Sequence, residues 1–305
     1  MSDIIVVGSV NMDMVVNVDK RPAKGETVLG DHFFMTPGGK GANQAYAAAK
    51  LGGDVTFIGA MGQDIFRERL TNQLKSVNIN TEYIHISETA PTGTAFITID
   101  REGDNSIVVA ANANTELTPD ILRKKEEAFR HAKLLMIQLE IPIETVLEAV
   151  KLAKKHGLRV LLDPAPAREL PESLFPDIDF LTPNQTEMEQ LTGVKVADVK
   201  SAEVASTILL DKGVKTVFAK MGNRGVTVVS PHTIRHNQGY RVHAIDTTAA
   251  GDAFAGAVGL SLVEKDDVFE AGSFGNAVAA LAVTKTGAQD SVPTRKEVRR
   301  LRTGR

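Results

Sequence analysis

Asp252 lies in IDTTAAGDAFAGAVGL (Ile245 to Leu260), where a strand-like stretch gives way to small residues and then to a helix starting near Gly251-Asp252. Backbone N–H groups at such a helix start have no helical acceptor, so those around Ala249 to Asp252 can cradle phosphoryl oxygens that are gaining charge. A carboxylate beside the positive helix end stays ionised and can take the proton of an attacking hydroxyl, which makes Asp252 the candidate general base. A helix-capping aspartate would give the same Gly-Asp pair.

A second group is PGGKGANQAYAAA (Pro37 to Ala49), glycines and a lysine before an Ala-rich helix. Glycines let backbone approach a ligand closely, and the helix start offers free N–H groups. A glycine turn capping a tightly packed helix is the plain alternative. Lys40 and Asn43 add donors that a turn does not need and a polyhydroxylated ligand does.

The third pairs TPNQTEMEQL (Thr182 to Leu191) with KMGNRGV (Lys220 to Val226). Asn184 and Glu187, three apart across a strand end and a helix start, can reach one point such as a hydrated Mg²⁺ and its phosphates. They equally fit a capping box, and Met221 to Gly225 equally fits a hairpin turn.

Absent motifs narrow the chemistry. There is no G-x-x-x-x-G-K-[ST], G-x-S-x-G or H-E-x-x-H, and Gln44 stands where a dinucleotide fingerprint needs its third glycine. With 0 cysteines, disulfides, thiolate catalysis and sulfur-ligated zinc are excluded. His232 and His236 lie four apart in an expected turn and strand, without a third ligand. The basic tail from Arg295 to Arg305, with Arg299, Arg300 and Arg302, reads as a solvated helix face.

The elements that must hold these groups follow from periodicity. Ile4 to Val10, Val55 to Gly62, Lys133 to Glu140, Leu158 to Pro164, Phe180 to Asn184 and Thr216 to Gly222 read as strands, several apolar on both faces. Ala42 to Leu51, Asp64 to Ser76, Pro119 to His131, Glu144 to His156 and Ala202 to Lys212 carry helical spacing. The alternation predicts an α/β fold: a doubly wound, mostly parallel sheet flanked by helices, in one domain over 1–305. Two insertions, about 12–36 and 92–111, alternate like strands with no helix between them; the second has a hairpin turn at Arg101 to Asn105. Together they fit a small antiparallel β-sheet lid over the carboxyl edge of the main sheet, where open α/β sheets bind ligands.

In 305 residues, 43% are apolar and 24% charged, enough for a sizeable core. Lys plus Arg at 35 against Asp plus Glu at 38 gives −3, with no basic excess for nucleic acid. The N-terminus lacks a basic n-region and no stretch is long and apolar enough for a membrane span, so a soluble, cytoplasmic protein is expected.

SVNMD (Ser9 to Asp13), GGKGANQA (Gly38 to Ala45), QLEIP (Gln138 to Pro142), DPAPAREL (Asp163 to Leu170), TPNQTE (Thr182 to Glu187) and DTTAAGDAF (Asp246 to Phe254) follow one another in a familiar order. From the first strand to SVPTR, the chain resembles the phosphofructokinase-B-type sugar kinase family. GGKGAN and AAGD together are highly specific to it; SVNMD, QLEIP and PAPAREL favour its ribose-phosphorylating branch.

The resemblance implies the doubly wound domain with a β lid that also makes a homodimer contact. It implies transfer of the ATP γ-phosphoryl group to the 5-hydroxyl of D-ribose, giving D-ribose 5-phosphate. Asp252 then matches the base, and Ala249, Ala250 and Gly251 the anion hole. Asn11, Asp13, Gly39, Lys40, Gly41, Asn43 and Glu140 match sugar-binding positions. Asn184, Lys220, Met221, Gly222, Asn223, Arg224, Gly225, Gly251 and Asn276 match the ATP site, with Glu187 near Mg²⁺. Asp246, Thr248, Ala282, Lys285, Gly287 and Ser291 match a site for a monovalent cation, K⁺, largely through backbone oxygens. Two positions depart from the wider family: Ala249 replaces its usual glycine, and Asn276 a frequent histidine. Another sugar or nucleoside kinase of the family, for deoxyribose, fructose or a ribonucleoside, is the nearest alternative reading. A sugar-binding regulator that has lost its chemistry is the other.

Overall fold

The computed structural model describes residues 2–102 and 104–304. Four short strands, buried apart from Arg159, run parallel side by side from one edge of the main sheet: β4 (Val55–Ile58), β1 (Ile4–Val7), β9 (Leu134–Ile137) and β10 (Arg159–Leu162). Their side chains alternate between two cores. Ile4, Val6, Leu134 and Met136 enter one, and Ile5, Val7, Leu135 and Ile137 the other. Strands apolar on both faces can be buried only if helices cover both, which is why the sequence reads as continuous apolar runs.

Between β1 and β4 lie β2 (Asn11–Val18), β3 (Gly30–Gly38) and helix α1 (Lys40–Lys50). Between β4 and β9 come β5 (Ala60–Gly62), α2 (Ile65–Lys75), β6 (His85–Ser87), β7 (Gly93–Ile99), β8 (Asn105–Ala110) and α3 (Pro119–Arg123). Helix α4 (Ile143–Lys155) joins β9 to β10. The rest of the chain gives β11 (Phe180–Leu181), α5 (Gln185–Thr192), α6 (Val199–Asp211), β12 (Thr216–Lys220), β13 (Val226–Ser230), β14 (Thr233–Asn237), α7 (Ala250–Lys265), α8 (Val268–Ala282) and α9 (Arg295–Thr303). The eight-stranded order is β14-β13-β12-β11-β10-β9-β1-β4, parallel except for the β12-β13-β14 meander. Residues of α1, α7 and α8 join the first core, and those of α4, α5 and α6 the second.

The two insertions form one four-stranded sheet, β3-β2-β7-β8. It is mixed, not antiparallel as expected. β2 and β7 leave the main body side by side, Asn11 opposite Gly93, and must therefore run the same way. The turn between β7 and β8 closes with the Asp100 N–H donating to the Asp104 carbonyl at 3.0 Å. Gly103 of that expected turn lies outside the described residues.

Two more expectations change. Val55 to Gly62 is two strands in different sheets, divided at Gly59, where a Cβ would sit 2.6 Å from the Phe57 ring. Pro119 to His131 is not one helix: α3 ends, the backbone turns at Lys125 (φ −109°, ψ 11°), and a 3-10 segment follows over Glu126–His131.

The start of α1 lies against the end of β1. A Cβ on Gly41 would stand 2.7 Å from the backbone of Gly8. Gly41→Ala must therefore push the helix off the sheet, at a cost of roughly 1–3 kcal/mol. We predict a melting temperature several degrees below the parent's in thermal unfolding; an unchanged one would refute this packing account.

Candidate active site

The site is assembled from the carboxyl ends of β1, β9, β10 and β12 and the first turns of α1 and α7. β3 runs to Gly38, and Gly39, at φ 87°, turns the chain into α1. The first N–H groups of α1 are not open to a ligand as the sequence suggested. Lys40 N–H donates to Glu140 Oε2 at 3.1 Å, Gly41 N–H to Ser9 Oγ at 3.4 Å and Ala42 N–H to the Ser9 carbonyl at 2.9 Å. Ser9 Oγ itself donates to Glu140 Oε2 at 2.6 Å. With its end capped by residues 32 to 100 positions away in sequence, α1 presents side chains, Lys40 and Asn43, rather than backbone.

The start of α7 is different. Ala249, its N-cap residue, is left-handed (φ 56°, ψ 13°) and makes no side-chain cap. An alanine held there stores roughly 1–3 kcal/mol of strain, a cost found where function fixes the backbone. The Ala250 N–H turns back to the Thr247 carbonyl at 3.3 Å. Among the described residues, the N–H groups of Ala249, Gly251 and Asp252 have no such acceptor. Three donors are thus left open at this turn, all within the Ala249 to Asp252 run read from sequence, with Ala250 withdrawn from it.

Asp252 is not a capping aspartate. Its Oδ2 accepts from Asn43 Nδ2 at 3.1 Å and its Oδ1 from Gln44 Nε2 at 3.2 Å, both from α1. Burial raises its proton affinity, against the attraction of Lys40. The positive helix end is therefore not the main influence on this carboxylate; desolvation is. Reciprocally, Asp252 is the main reason that Lys40 holds its proton above the ordinary lysine range.

Two cavities meet here. The smaller, about 180 Å³, lies between the four-stranded sheet and the main body. Asn11, Asp13, Gly39, Lys40, Asn43, Glu140, Thr247, Thr248, Ala249 and Asp252 line it, with Ala95, Ile97, Asn105, Ile107 and Val109 from the sheet. Of the expected sugar-binding positions only Gly41 is missing, since it packs on Gly8. Asp13 is 7% exposed and its Oδ1 has no partner. Burial, then the charges of Glu140 and Asp252, push its pKa up to about 7.

The larger cavity, about 490 Å³, is lined by Asn184, Lys220, Gly222, Asn223, Gly225, Gly251 and Asn276 and by an apolar wall including Tyr240, Val242, Phe254, Ala279 and Val283. Thr247 borders both cavities. Two expected positions fall off this lining: Met221 is buried, and the Arg224 guanidinium bonds the Ala197 carbonyl. Asn276 Nδ2 is committed to the Gln238 carbonyl at 2.8 Å. Met221 to Gly225 does connect two antiparallel strands, and it also lines the cavity.

Asn184 and Glu187 form the capping box, with the Glu187 N–H donating to Asn184 Oδ1 at 2.8 Å and the Asn184 N–H to Glu187 Oε2 at 2.7 Å. Asn184 Nδ2 takes Oε1 at 2.9 Å. Both Glu187 oxygens are engaged, which fits contact with a hydrated Mg²⁺ through water better than direct ligation. Burial raises the Glu187 proton affinity and Lys220 opposes it. Burial works against the charge of Lys220, yet Asp163 (2.8 Å) and Glu187 (4.0 Å) hold its pKa above the ordinary value.

Of the expected monovalent-cation residues, Asp246, Thr248 and Gly287 are brought together by hydrogen bonds. Asp246 accepts from Thr248 N–H at 2.8 Å and Gly287 N–H at 2.9 Å, tying the loop before α7 to the one after α8. Ser291 Oγ donates to the Ala288 carbonyl at 2.8 Å, and Lys285 pairs with Glu297 at 2.7 Å. Ala282 is the last residue of α8, its carbonyl accepting from Lys285 N–H at 3.1 Å. The available donors are a carboxylate, a hydroxyl and carbonyls, an all-oxygen set that fits a hard cation. Among the described residues no three His, Cys, Asp or Glu side chains form a metal cluster. His236 instead bonds Thr227 Oγ1 at 2.9 Å.

Residues not assigned from sequence complete the site. Asp163 accepts from Lys220, Thr182 (3.0 Å) and Gln44 (2.9 Å), and Asn114 holds Asn11 at 2.8 Å. Gln289 Nε2 donates to Asn43 Oδ1 at 3.2 Å. Gln44, Asp163 and Phe254 stood inside GGKGANQA, DPAPAREL and DTTAAGDAF; Asn114 and the rest of the apolar wall had no motif to mark them.

The sequence pattern of the pfkB family carbohydrate kinases matches residues 1–295. A ribokinase of Haemophilus influenzae is 44% identical over 292 residues, 96% of this chain and 95% of its own. A deoxyribokinase of Salmonella typhi is 38% identical over 293 residues, 96% of each chain. The structure of Arabidopsis thaliana ribokinase complexed with ribose and ATP superposes with a TM-score of 0.91 at 32% identity, covering 98% of both chains. The chain belongs to the pfkB family of carbohydrate kinases.

Asp13 generates a pH test. Folded, it binds its proton up to about pH 7; unfolded, only to about its ordinary 3.8. Between these values the folded state holds more protons, so stability falls as pH rises through the window. Asp13→Asn cannot ionise and removes that slope. Relative to the parent it should gain roughly 2–3 kcal/mol between about pH 5 and pH 7 in denaturant unfolding. A parent-variant difference independent of pH would contradict the assignment.

Proposed function

For this ATP-dependent sugar kinase of the pfkB family, we propose that the reaction is transfer of the ATP γ-phosphoryl group to the 5-hydroxyl of D-ribose, with Asp252 as general base. One observation carries the reading: Asp252 is buried in the small polar cavity, next to the turn where that cavity meets the larger one. The 44% identical ribokinase and the ribose and ATP complex of its Arabidopsis counterpart support the choice of substrates.

In the small cavity Asn11, Asp13, Asn43 and Glu140 supply acceptors and donors for sugar hydroxyls, the free Asp13 Oδ1 among them. In the large one the apolar wall suits the adenine, while Lys220, Asn223 and the glycines suit phosphates. Asp252 takes the hydroxyl proton as the oxygen attacks, and Lys40 offsets the two negative charges that approach each other. The N–H groups of Ala249, Gly251 and Asp252 receive the charge that develops on the transferred group, preorganised by the strained Ala249 turn. Rate then comes mainly from alignment and charge stabilisation, as expected for phosphoryl transfer. Glu187 would hold the water shell of a Mg²⁺ ion, which would supply charge neutralisation at the phosphates. K⁺ would be held by oxygens of Asp246, Thr248, Ala282, Lys285, Gly287 and Ser291, steadying the turn that carries the cradle.

The four-stranded sheet is read as the lid of a single domain spanning 1–305, excluding water that would otherwise compete for the γ-phosphoryl group. Its exposed Phe33, Phe96 (51%) and Val108 (66%) support a homodimer through this sheet. No helix among the described residues is long and apolar enough to cross a membrane, and a cytoplasmic location suits an ATP-dependent enzyme without cysteines.

A second reading, 2-deoxyribose as acceptor, draws on the deoxyribokinase relative at 38%. A panel of ribose, 2-deoxyribose, fructose and nucleosides, with ATP, Mg²⁺ and K⁺, separates the two by kcat/KM. Ribose should lead, and Asp252→Ala should lower kcat by about 10²–10⁴. A lead for another acceptor would overturn the substrate. Full turnover by the variant would overturn the base.

A further inference from the structure

Gln44 is fully buried on α1, lines neither cavity, and has no part in the mechanism above. Its Nε2 lies 2.9 Å from Asp163 Oδ2 and 3.2 Å from Asp252 Oδ1, close enough to give one hydrogen to each. Its Oε1 accepts from Gln138 Nε2 at 2.7 Å, which fixes the amide so that nitrogen, not oxygen, faces the two acids. Asp163 in turn accepts from Lys220, on the wall of the larger cavity. All four of Gln44, Gln138, Asp163 and Asp252 are buried, and only Asp252 lines a cavity, so the bridging nitrogen of Gln44 sits where water does not take its place.

On the reading of Asp252 as the base, we propose that Gln44 is its positioning residue: the bridging amide fixes the carboxylate and ties it through Asp163 to the lysine of the nucleotide cavity. Two carboxylates this close repel, and an amide NH₂ between them is the neutral group that satisfies both. Glutamate there would add a third acid, and an apolar residue would leave both acids short of a donor. The device gives one side chain control over the orientation of the base and its proton affinity.

Besides Gln44 and Asn43, Asp252 faces Lys40 of α1, Asp163 after β10, Glu140 after β9 and Asp13 of β2; Lys220 and Glu187 lie beyond Asp163. Lys40 favours its ionised form and the acids oppose it. Loss of the Gln44 donor must raise the proton affinity of the base, whereas loss of the Asp163 charge must lower it. The signs are opposite, which a merely structural role would not produce.

The test is kcat against pH with saturating ribose and ATP, for the parent, Gln44→Met, Gln138→Leu and Asp163→Asn, with thermal unfolding to confirm the fold. Gln44→Met should move the acid limb up by about one pH unit, tenfold in the ionised fraction below it, with little change in KM for ribose. Gln138→Leu should move it the same way by less, and Asp163→Asn should move it down. A folded Gln44→Met whose kcat falls equally at every pH overturns the proposal. If that variant does not fold, an unmoved limb in Gln138→Leu overturns it, and so does failure of both to fold, which would make the role structural. Asp252→Asn, run beside them, separates the two ideas. Its retention of turnover would remove the base, whereas its inactivity with unmoved limbs elsewhere would remove only the role of Gln44.

Discussion

A carboxylate taken out of water at the start of α7 is the constraint around which this molecule is arranged. Buried charge is tolerated only where it is hydrogen-bonded and compensated, and Asp252 has one amide on each oxygen and the charge of Lys40 acting on it. Those partners lie some 210 residues away in sequence, on α1. The helices must therefore pack closely and in one register, which explains the run of alanines and glycines where they face each other. Gly256 of α7, for instance, leaves no room for a Cβ beside Ala47 of α1.

The same demand spreads outward. Lys40 needs Glu140, whose carboxylate also caps α1, so the loop after β9 sets both the charge and the position of the helix. Lys220 needs Asp163, which ties the end of β12 across β11 to the chain just after β10. Every strand end in the middle of the sheet thus carries a group that another strand end or helix start satisfies. The four-stranded sheet adds apolar side chains and Asn11, Asp13 and Asn105 above this floor. It closes the small cavity and leaves the chemistry to the rigid body beneath it.

Much of this was legible in the sequence. β1 and β9 read as buried parallel strands because all four residues of each are apolar, and both insertions declared themselves by alternation without helices. Asn11, Asp13, Lys40, Asn43, Glu140 and Asp252 could be gathered into one site because their motifs are local and distinctive. What could not be read was who satisfies whom. The N–H groups of α1 looked free because Ser9 and Glu140 are brought to them only by the fold. Helix position suggested an ionised Asp252, but burial, invisible in a local pattern, dominates its proton affinity. The parallel pairing of β2 with β7 and the break at Lys125 likewise depend on contacts distant in sequence.

The central claim is spatial: an acceptor hydroxyl in the small cavity comes within reach of Asp252 and points toward the cradle. The most direct measurement is a crystal structure with ribose and a non-hydrolysable ATP analogue bound together. The account predicts the 5-hydroxyl oxygen about 2.6–3.2 Å from the Asp252 carboxylate, with the terminal phosphate against the N–H groups of Ala249, Gly251 and Asp252. A sugar bound with another hydroxyl at Asp252, or a terminal phosphate held away from that turn, would contradict it.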